Sequence, residues 1–213
     1  MYRPPHFAVD DLPTQQALIR AHPLGLLVVA GPDGLTADPI PFLLDAGEGP
    51  FGRLRCHVAR ANPVWRTIGA GAEVLVVFQA AEGYVTPGWY ETKRETGKVV
   101  PTWNYALVQV HGRAQAIEDT DWIATQIADL TALQEAARPE PWAVDDAPAP
   151  FIAAQMRGIV GIEIPIARIE GKWKVSQNRP EADRSGVAEG FAAQGAAGAA
   201  MAGLVRDFGR ERG

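Results

Sequence analysis

The sequence predicts a mainly β protein of the α+β class, built as a small antiparallel barrel decorated by helices. Three observations support this fold class. Short apolar or alternating runs recur early in the chain, turn residues separate them at regular spacing, and most helix patterns come later. A chain of 213 residues is long enough for one domain with a sizeable core.

Six segments have strand patterns. The first two flank the turn sequence GPDG and therefore form a predicted hairpin. The fourth is a continuous apolar run, typical of a strand buried on both faces. The fifth alternates, with Ala106, Val108 and Val110 on one face. The segments are residues 24–30, 35–45, 51–59, 74–80, 105–117 and 160–175, the last expected to be broken at Pro165 and Gly171.

Four segments have helix patterns, at residues 62–68, 119–137, 148–159 and 180–193. The second is the clearest, since Ile123, Ile127 and Leu130 recur at i, i+4 and i+7. The Gly/Ala tract that follows lacks the large side chains that a core needs. The sequence thus predicts one domain over residues 1–193 and a flexible Gly/Ala-rich C-terminal tail over residues 194–213.

The net charge bears on whether the protein binds nucleic acid, and the cysteine content bears on the cellular compartment. The formal net charge is -5, whereas proteins that bind nucleic acid through non-specific phosphate contacts carry a basic surplus. The single cysteine, Cys56, excludes an intrachain disulfide, and neither an apolar leader nor a membrane-length run is visible. We therefore expect a cytoplasmic protein with no membrane contact, and the charge argues against direct DNA binding.

The segment HVARANPVW has the pattern of an anion site. Asn62 is a favoured N-cap and Pro63 a favoured first helical residue, so free backbone N–H groups are expected there. Arg60, two residues before the cap, can add a bidentate phosphate contact. The alternative interpretation is an ordinary capped helix beside a solvated arginine.

An aromatic segment precedes and begins the fifth strand. It holds Tyr84, Trp89, Tyr90, Trp103 and Tyr105, with hydrogen-bonding side chains between the rings. Flat aromatic surface beside fixed polar groups suits a planar heteroaromatic ligand. A dimer interface or a core rich in tryptophan would use the same residues, and a ligand between subunits would combine both.

The segment EGKWKVSQNR offers a third polar group. Lys172, Lys174 and Ser176 alternate with Trp173 and Val175, and a run of polar side chains follows. Such donors and acceptors match the carbonyl and imide edges of a ligand. Lysines that protect a strand edge against pairing are the alternative.

Common catalytic and metal motifs are not found in the sequence. It has no GxGxxG that opens a helix after a strand, no GxxxxGK[ST], no HExxH and no CxxC, and the four histidines have no metal-ligand spacing. No basic recognition helix follows a tight turn, so a helix-turn-helix has little support.

These segments, in this order, resemble the PaiB family of FMN-binding negative transcriptional regulators. The resemblance covers nearly all of the chain up to about residue 190, and the tail lies outside it. Asp38 and Pro39 stand where many members have Asn and His. The matching segments are MYRPPHF, DPIPFLLD, HVARANPVW, EVLVVFQ, YVTPGWY, TGKVVPTWNY, PWAVDDAP, IVGIEIPI and EGKWKVSQNRPEADRSGV.

The resemblance implies a six-stranded antiparallel split β-barrel of the FMN-binding type, which forms a homodimer and holds FMN in a cleft between subunits. FMN can be lost from such a site during purification. The HVARANP segment would hold the phosphate, a second segment would border the flavin, and a third would close the cleft. The implied residues are His57, Val58, Arg60 and Asn62 in the first set, Thr102, Trp103 and Asn104 in the second, and Lys172, Trp173, Ser176 and Gln177 in the third.

Three functions follow as hypotheses. The first is an FMN-binding protein whose regulatory role is indirect or redox-sensing. The second is an FMN-dependent reductase or oxidase of a small metabolite, with His57, Tyr105 and Lys172 as candidate acids or bases. The third is a barrel without a cofactor or with haem, for which His57 and His111 are candidate ligands.

Overall fold

A computed structural model describes residues 1–210 of the chain. Within that range, no helix is long and apolar enough to cross a membrane. The strands are β1 (Ala8–Val9), β2 (Leu24–Gly31), β3 (Gly34–Pro41), β4 (Leu43–Asp45), β5 (Arg53–Ala59), β6 (Ala72–Val85), β7 (Thr102–Ile117) and β8 (Ile159–Lys174). The α-helices are α1 (Leu12–Ala21), α2 (Val64–Ile68), α3 (Glu91–Glu95), α4 (Thr120–Glu135), α5 (Ala149–Arg157), α6 (Glu181–Ala192) and α7 (Ala196–Arg210).

The strands form a sheet in the order β3-β2-β6-β7-β8-β5-β4, and β1 pairs with β8 outside this order. The predicted mainly antiparallel fold with helices is confirmed. The predicted six strands reappear, with β3 and β4 sharing the second segment and β1 added. β8 runs through Pro165 and Gly171 without the expected break, because β5 pairs with it up to Pro165 and β1 pairs with Gly171.

Two compact units divide the chain, and β6, β7 and β8 contribute residues to both. The first unit contains Met1–Asp11, Gln79–Val108 and the chain from Glu170 onward. The second unit contains Leu12–Phe78 and Gln109–Ile169.

The second unit has a core of aliphatic strand residues. Leu27, Leu54 and Val76 are fully buried there, and alternate strand residues supply the rest, as the pleat requires. Glycine lets two strands approach closely, since a Cβ on Gly112 would lie 2.3 Å from the backbone oxygen of Pro165. The buried side chains include Leu27, Val29, Leu54, Cys56, Val58, Val76, Phe78, Val110, Ile162 and Ile164.

The first unit is packed around two aromatic side chains. Trp89 lies so close to α6 that a Cβ on Gly190 would be 2.2 Å from its ring. Its ring centroid is 5.0 Å from that of the buried Phe191. The glycines of α6 are therefore contact residues and not merely weak helix formers.

A helix, α7, stands where the composition predicts a flexible tail. Alanine is the best helix former, and small side chains allow α7 to lie close against α6. Met201, Ala202 and Val205 are buried, so α7 does have an apolar face. The final part of the predicted tail, residues 211–213, lies outside the described residues.

Candidate functional site

A buried amide–hydroxyl pair joins the start of β7 to the turn after β8 in the first unit. Asn104 Nδ2 donates to Ser176 Oγ over 2.9 Å, although the two residues are 72 positions apart in the chain. Asn104 is 1% exposed and Ser176 4% exposed. Two residues that the sequence placed in different sets are thus in direct contact.

Ser176 has an unusual backbone conformation. Its φ is +67°, and it is the one non-glycine residue with positive φ among the described residues. This left-handed conformation is costly for residues with a Cβ and persists where surrounding contacts hold it. Gln177 supplies two of those contacts, since its Oε1 accepts from Val175 N over 2.8 Å and its Nε2 donates to Trp173 O.

Three cations lie near one another beside this turn. Lys174 Nζ donates to Thr102 Oγ1 and to the carbonyl oxygen of Trp103. Desolvation lowers the pKa of Lys174, and the nearby charges of Lys172 and Arg179 lower it further. Within residues 1–210 none of these three cations forms an ion pair, so their positive charge is available to an anion.

Lys172 is held in place by neutral groups. Its ammonium donates to Tyr2 O over 2.9 Å and lies 5.3 Å from the ring centroid of Tyr105. It lies opposite Ala8 of β1, so β8 is paired at this point and Lys172 does not protect a free edge.

The aromatic segment separates into exposed and buried parts. Trp103 is 51% exposed, and its ring meets that of Tyr84 edge-on at 6.0 Å between centroids. Trp89, in contrast, packs against α6, and Tyr90 is buried with Arg179 over its ring at 4.9 Å. A planar ligand could therefore lie against Trp103 and Tyr84, whereas Trp89 and Tyr90 serve packing.

Trp173 is also a packing residue. It is 2% exposed, and its ring centroid lies 5.9 Å from that of Phe208 in α7. Its side chain is covered within its own unit, so we expect it to support the turn and not to stack on a ligand.

Arg60, in the second unit, uses all of its guanidinium nitrogens. Nη1 donates to Glu118 Oε2 over 2.5 Å, while Nε and Nη2 donate to the carbonyl oxygens of Arg157 and Ile159. A phosphate at this position would have to replace the Glu118 carboxylate. The predicted anion contact is thus occupied internally by an anion of the same chain.

The predicted helix after Arg60 is present but starts one residue later than expected, with Pro63 at the N-cap and Val64 as the first helical residue. α2 has five residues, and Asn62 Oδ1 accepts from Val64 N over 2.9 Å, so one of the N–H groups expected to be free is already bonded. Val58 is buried in the core and presents no side chain to solvent.

His57 is fixed by a residue that sequence reasoning missed. Its Nδ1 lies 2.7 Å from Oε1 of Gln126, which is fully buried on α4. With the Gln126 amide in this orientation its oxygen accepts, so the contact requires the proton on Nδ1 of His57. A polar residue within the apolar stripe of the predicted helix is the sequence signal that could have identified Gln126.

Lys174 and Arg179 are the other residues outside the predicted sets. Both lie in the EGKWKVSQNR segment, but only the structure shows that they are near Lys172. Cys56 is not a nucleophile here, since complete burial raises the pKa of its thiol and keeps it protonated. The site therefore offers cations, amide and hydroxyl groups and exposed aromatic rings.

Known proteins similar to this chain include flavin binders. A family model described as "Putative FMN-binding domain" matches residues 1–168. An uncharacterised protein of Aspergillus fumigatus is 36% identical, over 90% of this chain and 90% of its own length. Protease synthase and sporulation protein PAI 2 of Bacillus subtilis is 30% identical, over 89% of this chain and 88% of its own length.

A solved structure confirms the barrel type. The FAD and heme binding protein from Mycobacterium smegmatis superposes with a TM-score of 0.58 at 17% identity, covering 78% of this chain and 72% of that chain. At this identity the likeness concerns the fold, a flavin-binding split barrel with an open sheet. The family model covers residues 1–168, and the PAI 2 relative covers most of the chain. As the PaiB resemblance predicted, this protein therefore belongs to the FMN-binding domain family, and its cofactor is FMN.

Proposed function

We propose that FMN binds at the surface of the first unit formed by Thr102, Trp103 and Lys174, with the buried pair Asn104 and Ser176 supporting it. FMN presents a planar ring, polar ring edges and a phosphate. This surface offers the exposed Trp103 indole for the ring, the Thr102 hydroxyl for a polar ring edge, and the Lys174 ammonium for the phosphate. The residues therefore fit the cofactor chemically.

The observation that carries this proposal is the unbalanced charge at Lys174. Its hydrogen-bond partners, Thr102 and Trp103, are neutral, and the neighbouring Lys172 and Arg179 add positive charge. Three neighbouring cations that form no ion pair within residues 1–210 bear an electrostatic cost, which a bound phosphate would lower.

The buried members of the predicted set have a positioning role in this proposal. Asn104 and Gln177 hold Ser176 and its neighbours in one conformation before the ligand arrives. Lys172 contributes positive charge, and the buried Trp173 supports the turn that contains Ser176. A site prepared in this way loses less conformational freedom on binding.

A second position for the phosphate is the predicted one at Arg60 and Asn62, with His57 and Val58 behind it. The specific observation in its favour is the Glu118 carboxylate, which shows that the Arg60 guanidinium is oriented to hold an anion. Binding there would exchange Glu118 for the phosphate.

When bound, FMN supplies hydride and single-electron chemistry. We propose that this chemistry serves regulation by an indirect or redox-sensing route, because the net charge of -5 does not favour contact with DNA phosphates. An FMN-dependent reductase or oxidase is the other candidate. Rapid bleaching of bound FMN by NADH or NADPH, with turnover on an added acceptor, would favour catalysis.

We infer that the protein is a homodimer from an apolar sheet face in the second unit. Leu24 is 63% exposed and Leu26 40% exposed, and both lie in β2 towards the open end of the β2–β3 hairpin. Their cross-strand partners are Pro41 and Pro39, which are apolar as well. A contiguous apolar face of this kind is typical of association surfaces.

A cytoplasmic location is part of the same proposal. The free thiol of Cys56 is buried and protected, and the chain has no second cysteine with which to form a bridge. A reducing compartment suits such a protein.

The test is an FMN titration followed by absorption and flavin fluorescence, on wild type and matched variants. Lys174→Gln removes the proposed phosphate contact, Arg60→Gln removes the alternative, and Lys93→Gln, an exposed lysine on α3, is the control. We expect Lys174→Gln to weaken binding about 10- to 150-fold and Lys93→Gln to leave it unchanged.

The outcomes separate the hypotheses. If Arg60→Gln weakens FMN binding and Lys174→Gln does not, the phosphate binds in the second unit and the proposed role of Lys174 is refuted. A wild-type protein that ignores FMN but takes up haem, or that binds neither, would contradict the proposed flavin surface as a whole.

A further inference from the structure

A cavity in the second unit has no role in the proposed flavin site. Its volume is about 290 Å³, and it lies between α1, β4, β5 and α4. That volume is near the lower end of known small-molecule sites and roughly ten times the space of one liquid water. None of the predicted cofactor-binding residues lines it.

One side of the cavity is apolar. Ile19 and Phe42 are almost completely buried at this wall, and Leu133 on α4 is half exposed at its rim. The apolar wall favours a hydrocarbon or aromatic body of modest size.

The other side contains a buried arginine. Arg55 is 9% exposed, and its Nε and Nη2 donate to the two oxygens of Asp45 over 2.6 Å and 2.8 Å. Nη2 also donates to Asp129 Oδ2 over 2.8 Å. Its third nitrogen, Nη1, has no hydrogen-bond partner in the described part of the chain and is not fully buried, so it can donate to solvent or to a ligand.

A second arginine lines the cavity from α1. The side chain of Arg20 is exposed, and it forms neither a hydrogen bond nor an ion pair with any residue in the range 1–210. The cavity thus has one guanidinium that is wholly uncommitted and another with a spare nitrogen.

The acidic side chains of the cavity are more fully occupied. Both oxygens of Asp45 accept from Arg55, and Oδ2 also accepts from Arg53. Asp129 has one oxygen engaged by Arg55. The unused hydrogen-bonding capacity therefore consists mainly of donors, which match an anionic ligand and not an amine.

We propose that this cavity binds a small carboxylate with an apolar tail. The carboxylate pairs with Arg20 and accepts from Arg55, while the tail lies against Ile19, Phe42 and Leu133. Planar guanidinium groups suit a carboxylate because two parallel hydrogen bonds can form. The proposal is independent of FMN, since the two sets of residues do not overlap.

The probe is octanoate, compared with octylamine and octanol, in calorimetric titrations and thermal shifts of the FMN-loaded protein. We expect octanoate to bind with 1:1 stoichiometry and to raise Tm, and the amine to bind no better than the alcohol. Arg20→Glu should weaken octanoate binding at least about tenfold, whereas Arg20→Lys should retain part of it.

Arg138→Glu is the matched control, because it makes the same charge change at an exposed arginine outside the cavity. It should leave octanoate binding unchanged, and both glutamate variants should keep the flavin spectrum of wild type. Stronger binding of octylamine, equal binding of octanol, an equal effect of the two glutamate variants, or no binding at all would each overturn the proposal.

Discussion

The left-handed backbone of Ser176 gives a prediction that can be worked out from the structure. We compare Ser176→Ala with Ser176→Gly. Both variants lose the hydroxyl that accepts from buried Asn104 Nδ2, and leaving a buried amide without its partner costs about 1–3 kcal/mol. Only the alanine variant keeps the cost of a Cβ at φ +67°.

The two variants therefore differ in the conformational free energy of the backbone at residue 176. In the left-handed conformation, glycine is favoured over alanine by about 1–2 kcal/mol, because it has no Cβ. Glycine also has more conformational freedom in the unfolded chain, which offsets about 0.4–1 kcal/mol of this advantage. We expect Ser176→Gly to be more stable than Ser176→Ala by about 0.5–1 kcal/mol, although both are less stable than wild type. For a protein of this size the difference is about 1–4 °C in Tm.

The assay is urea unfolding of the FMN-free protein, followed by tryptophan fluorescence. Ser185, exposed within α6, is the matched control, since its backbone is helical and glycine is there about 1 kcal/mol worse than alanine. The order of stability should thus reverse between the two positions. If alanine is as stable as glycine at position 176, the conformation of Ser176 carries no strain and the argument fails.

Three further predictions concern other parts of the chain. Burial alone would raise the pKa of Asp45, but hydrogen bonds from Arg55 and Arg53 lower this pKa below 3.8. The ionised Asp45 carboxylate therefore stabilises the fold above about pH 4, and this stabilisation is lost as the pH falls through the folded-state pKa. Asp45→Asn should lower the urea midpoint at pH 7, and an equally large difference from wild type at pH 2 would contradict this. Gly112→Ala should lower stability by about 1–3 kcal/mol in urea unfolding because its Cβ would collide with the Pro165 carbonyl, whereas Gly203→Ala, which has open space, should not. Lys174→Met should raise the Tm of the FMN-free protein at pH 7, because desolvation and neighbouring cations lower the pKa of this lysine and so make its charged form costly in the fold. As the pH rises towards 10, the folded wild type loses this proton more readily than the unfolded chain and gains stability. A Tm advantage of the variant that grows with pH would therefore refute the lowered pKa of Lys174.

Much of the sheet could be predicted because its residues alternate or form continuous apolar runs. Ala106, Val108 and Val110 are buried as their spacing indicated. The helix α1 was not predicted, since its sequence LPTQQALIRA buries two glutamines and has no long apolar stripe. In α7, small residues carry the packing, and composition alone does not distinguish such a helix from a mobile segment.

The candidate site was predictable as a list of residues but not as an arrangement. Local sequence indicated polar and aromatic groups in the right segments. It could not show that Asn104 meets Ser176, that Phe208 covers Trp173, or that Arg60 already has three partners. Each of these contacts joins residues distant in sequence or depends on a partner whose own position is set by the fold.

The strand β3 has a further consequence for how copies of this chain can meet. β3 and β4 are the outermost strands of the sheet order, and outermost strands offer unpaired backbone groups to other molecules. Pro39 and Pro41 place two residues without an N–H donor in β3, while β4 has only three residues. Neither strand is a good template for adding another, so open-ended growth into fibrils is disfavoured, and association through a face of the sheet can stop at two copies.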